Sequence, residues 1–253
     1  MTSGEYILAA IAVTLIGFSK AGLGGGTSIL ATPLMVAALG SKTALGVMLP
    51  LLILCDWGAC LIHFKYWKWN PVLRLLPSCA VGIAVGTYFL GKLDGIWLQR
   101  IIGVMCIGFC LQQWLKIKRT EAYTAYWNRS RHLVLGGLTG LSSTLAHAAG
   151  PVGAMYLLPF NFPPRVFVAT SVLAFTLVNL LKLPTYFWLG MIQTESLGTS
   201  LQLAAFIPAG ILLGVYALKR LNPDQFKRVI YVILFLTGLD LLSGKSLLQL
   251  LGS

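Results

Sequence analysis

A broken, polar and cationic stretch, GFSKAGLGGGTSIL, interrupts an otherwise apolar sequence near its start. Each glycine of its triplet costs about 1 kcal/mol relative to alanine inside a helix, so the triplet predicts a break between two helices. A helix that begins after the triplet turns free N–H groups and a partial positive charge toward the break, and both favour an anion. The candidate ligands in this stretch are Lys20, Gly24, Gly25, Gly26, Thr27 and Ser28.

A second break of the same kind lies in LSSTLAHAAGP, at residues 141–151. Pro151 stands where a helix would restart, and proline suits the first helical turn. If both breaks face one point, each contributes half of an anion site. The alternative is that the small residues only let membrane helices pack closely. The candidate ligands of this break are Ser142, Ser143, Thr144, His147 and Gly150.

A carboxylate inside an apolar segment is the other chemical signal. Asp56 lies near the middle of LLILCDWGACLIHF, and His63 follows on the same helical face. A carboxylate at that depth costs ~2.5–3.5 kcal/mol on insertion scales, which favours a functional role. Two roles stay open for coupling: Asp56 and His63 relay a proton, or Asp56 pairs with a lysine. Asn179 and Lys182, one turn apart in the second half, are further candidates for substrate binding; Lys182 either faces a cavity or snorkels to the surface.

The composition requires a membrane around these residues. The 253 residues are 57% hydrophobic and 10% charged, against roughly 25% charged in average proteins. The net charge of +12 resides mostly in loops, where it acts as a topology signal and gives no reason to expect nucleic acid. The prediction is an all-α polytopic membrane protein. Its apolar segments run at about 5–20, 25–39, 43–64, 72–92, 97–116, 132–146, 150–160, 166–189, 198–218 and 227–243.

The two halves of the chain resemble each other, which predicts a repeat. An offset of 123 residues aligns Asp56 with Asn179, and an offset of 128 aligns Gly82 with Gly210. The first two segments of each half are mostly shorter than the ~20 residues of a full crossing. They are expected to be broken or re-entrant helices. Further aligned pairs are Gly17 with Gly140, Ser19 with Ser142, Lys42 with Arg165, Tyr88 with Tyr216, and Arg100 with Arg228.

Basic residues predict how the two repeats, 1–116 and 132–253, lie in the membrane. Cytoplasmic loops are enriched in Lys and Arg, so the basic connector at 117–131 and the loops around Lys65 and Arg220 are expected to be cytoplasmic. These positions leave an odd number of crossings in each half. The repeats are then inverted relative to each other, and both termini face the periplasm.

Several motifs together resemble one family of bacterial permeases. AHAAGPVGAMYLLPFNF, FVATSVLAFTLVNLLKLPTYFWLG, GFSKAGLGGG and the terminal GLDLL resemble the TauE/SafE sulfite-exporter family, over about Gly17 to Leu242. The resemblance implies an inner-membrane transporter of small anions such as sulfite, sulfonates or sulfoacetate. The family's usual second break reads AHAGGPP; here Ala149 replaces a glycine, which narrows the conformational freedom of the backbone, and Val152 replaces a proline.

The predicted function is therefore a secondary transporter of a small organosulfur anion or sulfur oxyanion. Inverted repeats with interrupted helices bind substrate near the midplane in such proteins, and protons or the membrane potential would drive transport. A small-anion channel and a membrane assembly subunit are the alternatives. Three histidines, cysteines without metal spacing and the lack of GxxxxGK[ST] predict no enzyme, no metal and no cofactor. The expected partners are the anion, protons and the lipid bilayer, a homo-oligomer is left open, and no nucleic acid is expected.

Overall fold

The computed structural model describes residues 3–25, 31–90 and 121–243, and eight helical positions from 100 to 114. Every regular element in this part of the chain is helical, which confirms the predicted all-α fold. The helices are α1 (Ser3–Leu23), α2 (Ala31–Leu39), α3 (Ser41–His63), α4 (Trp69–Phe89), α5 (Glu121–Ala146), α6 (Ala149–Leu157), α7 (Pro164–Trp188), α8 (Thr194–Ala204), α9 (Ile207–Arg220) and α10 (Pro223–Ser243). A 3-10 turn, Leu158–Phe160, follows α6.

Four of these helices are long and apolar enough to cross a membrane: α1, Thr43–His63 of α3, α4 and α7. Helices α8 and α9 meet at a bend of 49° and together form a fifth candidate span. A crossing helix needs ~20 predominantly apolar residues, and these helices meet that requirement. Large apolar side chains such as Leu61, Leu201 and Trp188 remain exposed on the helix surfaces, as a lipid environment requires. The chain is a polytopic membrane protein.

Helix α1 is longer than its apolar run predicts. It spans 21 residues and continues past Lys20 to Leu23, whereas the run at 5–20 suggested a segment too short to cross. Its last turn packs directly on α9, because a side-chain carbon at Gly22 would lie 2.6 Å from the carbonyl oxygen of Gly214. The absence of side chains at both glycines therefore lets α1 extend along its neighbour.

Two other segment boundaries also differ from the prediction. Helix α5 begins at Glu121, so part of the predicted connector is helical and continuous with the apolar segment behind it. The sequence EAYTAYWNRSRH contains no proline or glycine that would end a helix there. Conversely, the predicted segment 198–218 is divided into α8 and α9. Pro208 causes this division, since its ring displaces the preceding turn and it has no N–H to donate.

Glycines join the halves at two helix crossings. A side-chain carbon at Gly210 on α9 would overlap the carbonyl oxygen of Thr14 on α1. Likewise, a side-chain carbon at Gly82 on α4 would overlap the carbonyl oxygen of Gly137 on α5. These pairs follow the offsets of 128 and 123 that align the halves in sequence. The first helix of each half thus packs against a helix of the other half, while the inverted orientation of the halves stays a prediction.

Helix α7 lies at the centre of the fold. It packs against α1, α3, α4, α5 and α6, and 72% of its most apolar window is buried within the protein. This position explains how Asn179 and Lys182, both on α7, are kept from solvent and lipid. Helix α7 therefore supplies the side chains that meet the two breaks.

Candidate functional site

A buried ion pair links α1 to α3. The ammonium nitrogen of Lys20 lies 2.7 Å from Oδ1 of Asp56, and the two side chains are 4% and 0% exposed. At this distance the two charged groups form an ion pair. Lys20 Nζ also lies 4.7 Å from the ring centroid of Phe175, at cation–π distance. Of the two roles open for Asp56, this geometry is that of a lysine partner.

The second carboxylate oxygen of Asp56 faces α7. Asn179 Nδ2 donates a hydrogen bond of 2.7 Å to Asp56 Oδ2. Both side chains are buried, so the carboxylate is held between a cation from α1 and an amide from α7. This arrangement fixes the orientation of the carboxylate between the two helices.

Lys182 occupies a separate buried cluster. Its Nζ lies 3.0 Å from the carbonyl oxygen and 3.1 Å from Oγ of Ser143, and 2.9 Å from Nδ1 of His147. An ammonium group has three hydrogens, and these are three acceptors. Lys182 is fully buried, so it does not snorkel. Among the described residues, no carboxylate lies within ion-pair distance of it.

The tautomer of His147 follows from its two contacts. Its Nε2 lies 3.1 Å from the carbonyl oxygen of Leu45, which can only accept. Nε2 therefore carries the hydrogen, and Nδ1 accepts from Lys182. His147 thereby joins the second break to α3 and to α7 at once.

The two breaks contain backbone turns of the same conformation. In the first, Gly24 has a φ of 64° and the amide of Gly25 donates to the carbonyl of Ser19. In the second, His147 has a φ of 51° and the amide of Ala148 donates to the carbonyl of Ser142 in the same way. Each residue of the second turn lies 123 positions after its counterpart in the first. A non-glycine residue with positive φ is uncommon and strained, and His147 takes that conformation where the first half has glycine.

A small cavity lies between the breaks. It leaves about 10 Å³ for the centre of a water-sized sphere, which is room for about one water molecule. Side chains of α1, α3, α5 and α7 meet there with the start of α6, so five predicted ligands converge on one space, and Lys20 is the one from the first half. The lining residues are Lys20, Leu52, Ser143, His147, Ala149, Gly150, Phe175 and Asn179.

Other predicted ligands lie outside this lining. The Ser142 hydroxyl donates to Thr139 O, and that of Thr144 donates to Gly140 O, so both bond within α5. His63 Nε2 donates to the carbonyl of Ala21 on α1 at 3.1 Å. Lys182 is not part of this lining, but it bonds to Ser143 and His147, which are. The predicted ligands Gly26, Thr27 and Ser28 lie outside the described residues.

Phe175 is a component of the site that the sequence did not reveal. A side-chain carbon on Gly25 would lie 2.8 Å from its ring, and one on Gly153 would lie 2.7 Å from it. The ring therefore fills the space between the first break and α6, directly beside Lys20. In FVATSVLAFTLVN this residue is indistinguishable from any core aromatic, and a single sequence holds no signal for its role.

Comparisons with known proteins agree with this architecture. The sequence model of the family described as Sulfite exporter TauE/SafE matches residues 9–241. The chain is 23% identical over 198 residues to the probable inner membrane transporter protein TsaS of Comamonas testosteroni. That alignment covers 76% of this chain and 81% of the relative. No solved structure matches the chain.

Proposed function

Because the chain belongs to the TauE/SafE sulfite exporter family, we propose that it is a secondary transporter of a small organosulfur anion or sulfur oxyanion, such as a sulfonate or sulfite. The cell inner membrane is its proposed location, since its TsaS relative is described as an inner-membrane transporter. The anion binds in the cavity between the two breaks. The single observation that carries this proposal is the buried side chain of Lys182, which bonds to two residues of the cavity lining and has no carboxylate of the described residues within ion-pair distance.

The charges around the cavity do not balance. Lys20 and Asp56 form a pair and offset each other, whereas Lys182 has no such partner among the described residues, so its ammonium form adds an excess positive charge. An isolated ion in the protein interior costs several kcal/mol even after relaxation. An anion beside Ser143 and His147 would offset that cost, whereas a cation would add to it. The site is therefore selective for negative charge.

The start of α6 adds backbone donors to the site. Ala149 and Gly150 form the first turn of this helix and line the cavity. Its N-cap, Ala148, provides no side-chain hydrogen bond to the first-turn amides. Free amides and the positive end of the helix dipole favour an oxyanion at this point. Gly150 also carries no side chain that would keep an oxyanion away from the backbone.

The present cavity is smaller than a sulfonate group. Room for about one water molecule means that the anion enters only when the packing around the cavity opens. We assign that change to movement of the first break and α6 against α7. The ring of Phe175, on α7, lies between them and is close to both Gly25 and Gly153. A site that is closed between openings is typical of a carrier.

The test is counterflow in proteoliposomes. Vesicles preloaded with unlabelled methanesulfonate, sulfoacetate or sulfite should take up the labelled anion with saturable kinetics. Lys182→Met should abolish this exchange because the excess positive charge is gone. Lys219→Met is the matched control, because this substitution removes a lysine charge at an exposed position at the end of α9. Unsaturable current would indicate a channel, and absence of binding for all three anions would contradict the proposal.

A further inference from the structure

An open apolar groove lies between α3 and α7 and, among the described residues, shares no lining residue with the anion cavity. Its volume is about 320 Å³, as in pockets that hold small molecules. Its floor on α7 is buried, whereas much of its rim on α3 is exposed. The lining residues are Trp57, Cys60, Leu61, Phe64, Trp67, Leu173 and Thr176. We propose that this groove binds one acyl chain of an anionic phospholipid, whose headgroup lies against Lys65 and Lys68.

The groove suits an apolar occupant. Its surface is almost entirely apolar. The hydroxyl of Thr176 on its floor donates to the carbonyl oxygen of Val172 at 2.8 Å and lies 3.4 Å from the sulfur of Cys60, so it is already bonded within the protein. An occupant is therefore held by burial of apolar surface, without hydrogen bonds to the floor. A hydrocarbon chain meets this requirement, and a small hydrophilic anion does not.

One end of the groove has the side chains of a membrane interface. Phe64 and Trp67 line this end with ring centroids 6.5 Å apart, and the ring of Trp69 follows 6.1 Å from that of Trp67. Tryptophan is enriched at the level of the lipid headgroups. Trp57 lines the groove seven residues before Phe64 on α3, which is roughly 10 Å along the helix. The groove therefore runs from the headgroup level along the helices toward the membrane interior.

Basic side chains surround the same end. Lys65 and Lys68 are exposed, and the ammonium nitrogen of Lys65 lies 5.5 Å from the ring centroid of Phe64. Arg165, at the start of α7, donates a hydrogen bond of 3.4 Å to the Tyr66 hydroxyl. No carboxylate of the described residues lies within ion-pair distance of these three basic side chains. Their charge is complementary to that of a lipid phosphate.

An apolar groove with a basic, aromatic mouth fits an amphipathic molecule with a negative headgroup. The loop that carries Lys65 and Lys68 is the one expected to face the cytoplasm, and the cytoplasmic leaflet is rich in anionic lipids. Each basic residue near the membrane surface strengthens the attraction to such lipids. Two lysines predict a preference of roughly 30-fold for phosphatidylglycerol over phosphatidylcholine.

The lipid would contact the two helices that also hold the anion site. Asp56 precedes Trp57 on α3, and Phe175 precedes Thr176 on α7, so each helix has one of these neighbours at the site and the other in the groove. A chain in the groove packs against both helices at once. Bound lipid should therefore stabilise the packing of α3 on α7 and raise the melting temperature.

Native mass spectrometry of the purified, delipidated full chain tests the proposal. The probes are phosphatidylglycerol and phosphatidylcholine with the same acyl chains, and glycerol 3-phosphate without a chain. We expect one phosphatidylglycerol to be retained with the roughly 30-fold preference given above, and the melting temperature to rise with it. Lys65→Gln combined with Lys68→Gln should reduce its affinity to that of phosphatidylcholine. Lys219→Gln combined with Arg220→Gln is the matched control, because it removes two exposed positive charges at the end of α9 and should keep the preference.

Variants of the groove test where the acyl chain binds. Cys60→Phe should fill part of the groove and weaken the binding of both lipids. Leu201→Phe, at an exposed position of α8 outside the groove, should bind them as the natural protein does. Where the phenylalanine at position 60 disturbs folding, Leu61→Gln gives the same information, since it places a polar amide at an exposed position of the rim.

Three outcomes would overturn the proposal. Equal retention of both lipids by the natural protein would show that the groove holds bulk lipid without selection. Glycerol 3-phosphate that binds as tightly as phosphatidylglycerol would indicate a site for free phosphate. Retention that is unchanged in the groove variants would place the lipid elsewhere on the protein.

Discussion

Asp56 and Asn179, which occupy equivalent positions in the two halves, are hydrogen-bonded to each other at 2.7 Å. The same position thus carries a charged residue in one half and a neutral amide in the other. Two carboxylates at this distance would repel each other and could not both ionise. With an amide in the second half, Asp56 accepts a hydrogen bond from Asn179 and pairs with Lys20 at the same time.

Removing the charge of Asp56 should destabilise the protein. Asp56→Asn leaves Lys20 buried without a counter-ion, and breaking such a pair typically costs about 3–5 kcal/mol. Melting temperature and anion binding should therefore fall together. The double variant Lys20→Met, Asp56→Asn should recover most of the stability because neither charge remains. A folded Asp56→Asn protein that exchanges anion but has lost only its response to a pH gradient would instead identify Asp56 as the proton relay.

Gly25→Ala should weaken anion binding. Gly25 has a φ of 81°, and an added side-chain carbon would lie 2.8 Å from the Phe175 ring. The backbone strain alone is of order 1–3 kcal/mol. Phe175→Leu in the same chain should relieve the collision but not the strain, so recovery is partial. Gly4→Ala is the control, because nothing lies within 4 Å of that position, and it should bind as the natural protein does. Normal binding by Gly25→Ala would mean that the glycine serves packing only.

Gly210→Ala should loosen the crossing of α1 and α9. The new methyl group would overlap the carbonyl of Thr14, and overpacking of this kind typically costs about 1–3 kcal/mol. Gly82→Ala should have a similar effect where α4 crosses α5. Gly198→Ala provides the comparison, since its position has open space. Equal melting temperatures for all three variants would show that the crossings adjust without strain.

The orientation of the chain can be tested with reporter fusions. A periplasmic reporter should be active after Ser253, and a cytoplasmic reporter should be active near Tyr123 in the connector, since the basic residues there favour the cytoplasm. Each reporter should be silent at the other position. A cytoplasmic Ser253 would contradict the inverted arrangement of the two halves.

Sequence reasoning found the charged residues of the site but not their pairing. Lys20, Asp56 and Lys182 stand out because each is costly inside an apolar segment. Which lysine meets the carboxylate depends on how α1 and α7 cross α3, and hydrophobic pattern alone does not determine crossing geometry. The sequence therefore left Asp56 with two roles, and the three-dimensional packing places it against Lys20.

The sequence analysis also did not predict the backbone conformation at the second break. Positive φ is uncommon for any residue other than glycine, so nothing about His147 alone predicts its strained turn. The offset that aligns Gly24 with His147 was available and would have indicated it. Some predicted helix boundaries were wrong for a local reason. Apolar runs mark where a helix meets lipid, and not where its hydrogen bonds begin and end, as α5 shows.

The glycine crossings join helices of different halves, so neither half is a structural unit by itself. Helix α1 is completed by α9, and α5 by α4, so each half closes a groove on the other. Neither half on its own would cover the face of its first helix, so the two halves are expected to fold as one cooperative unit.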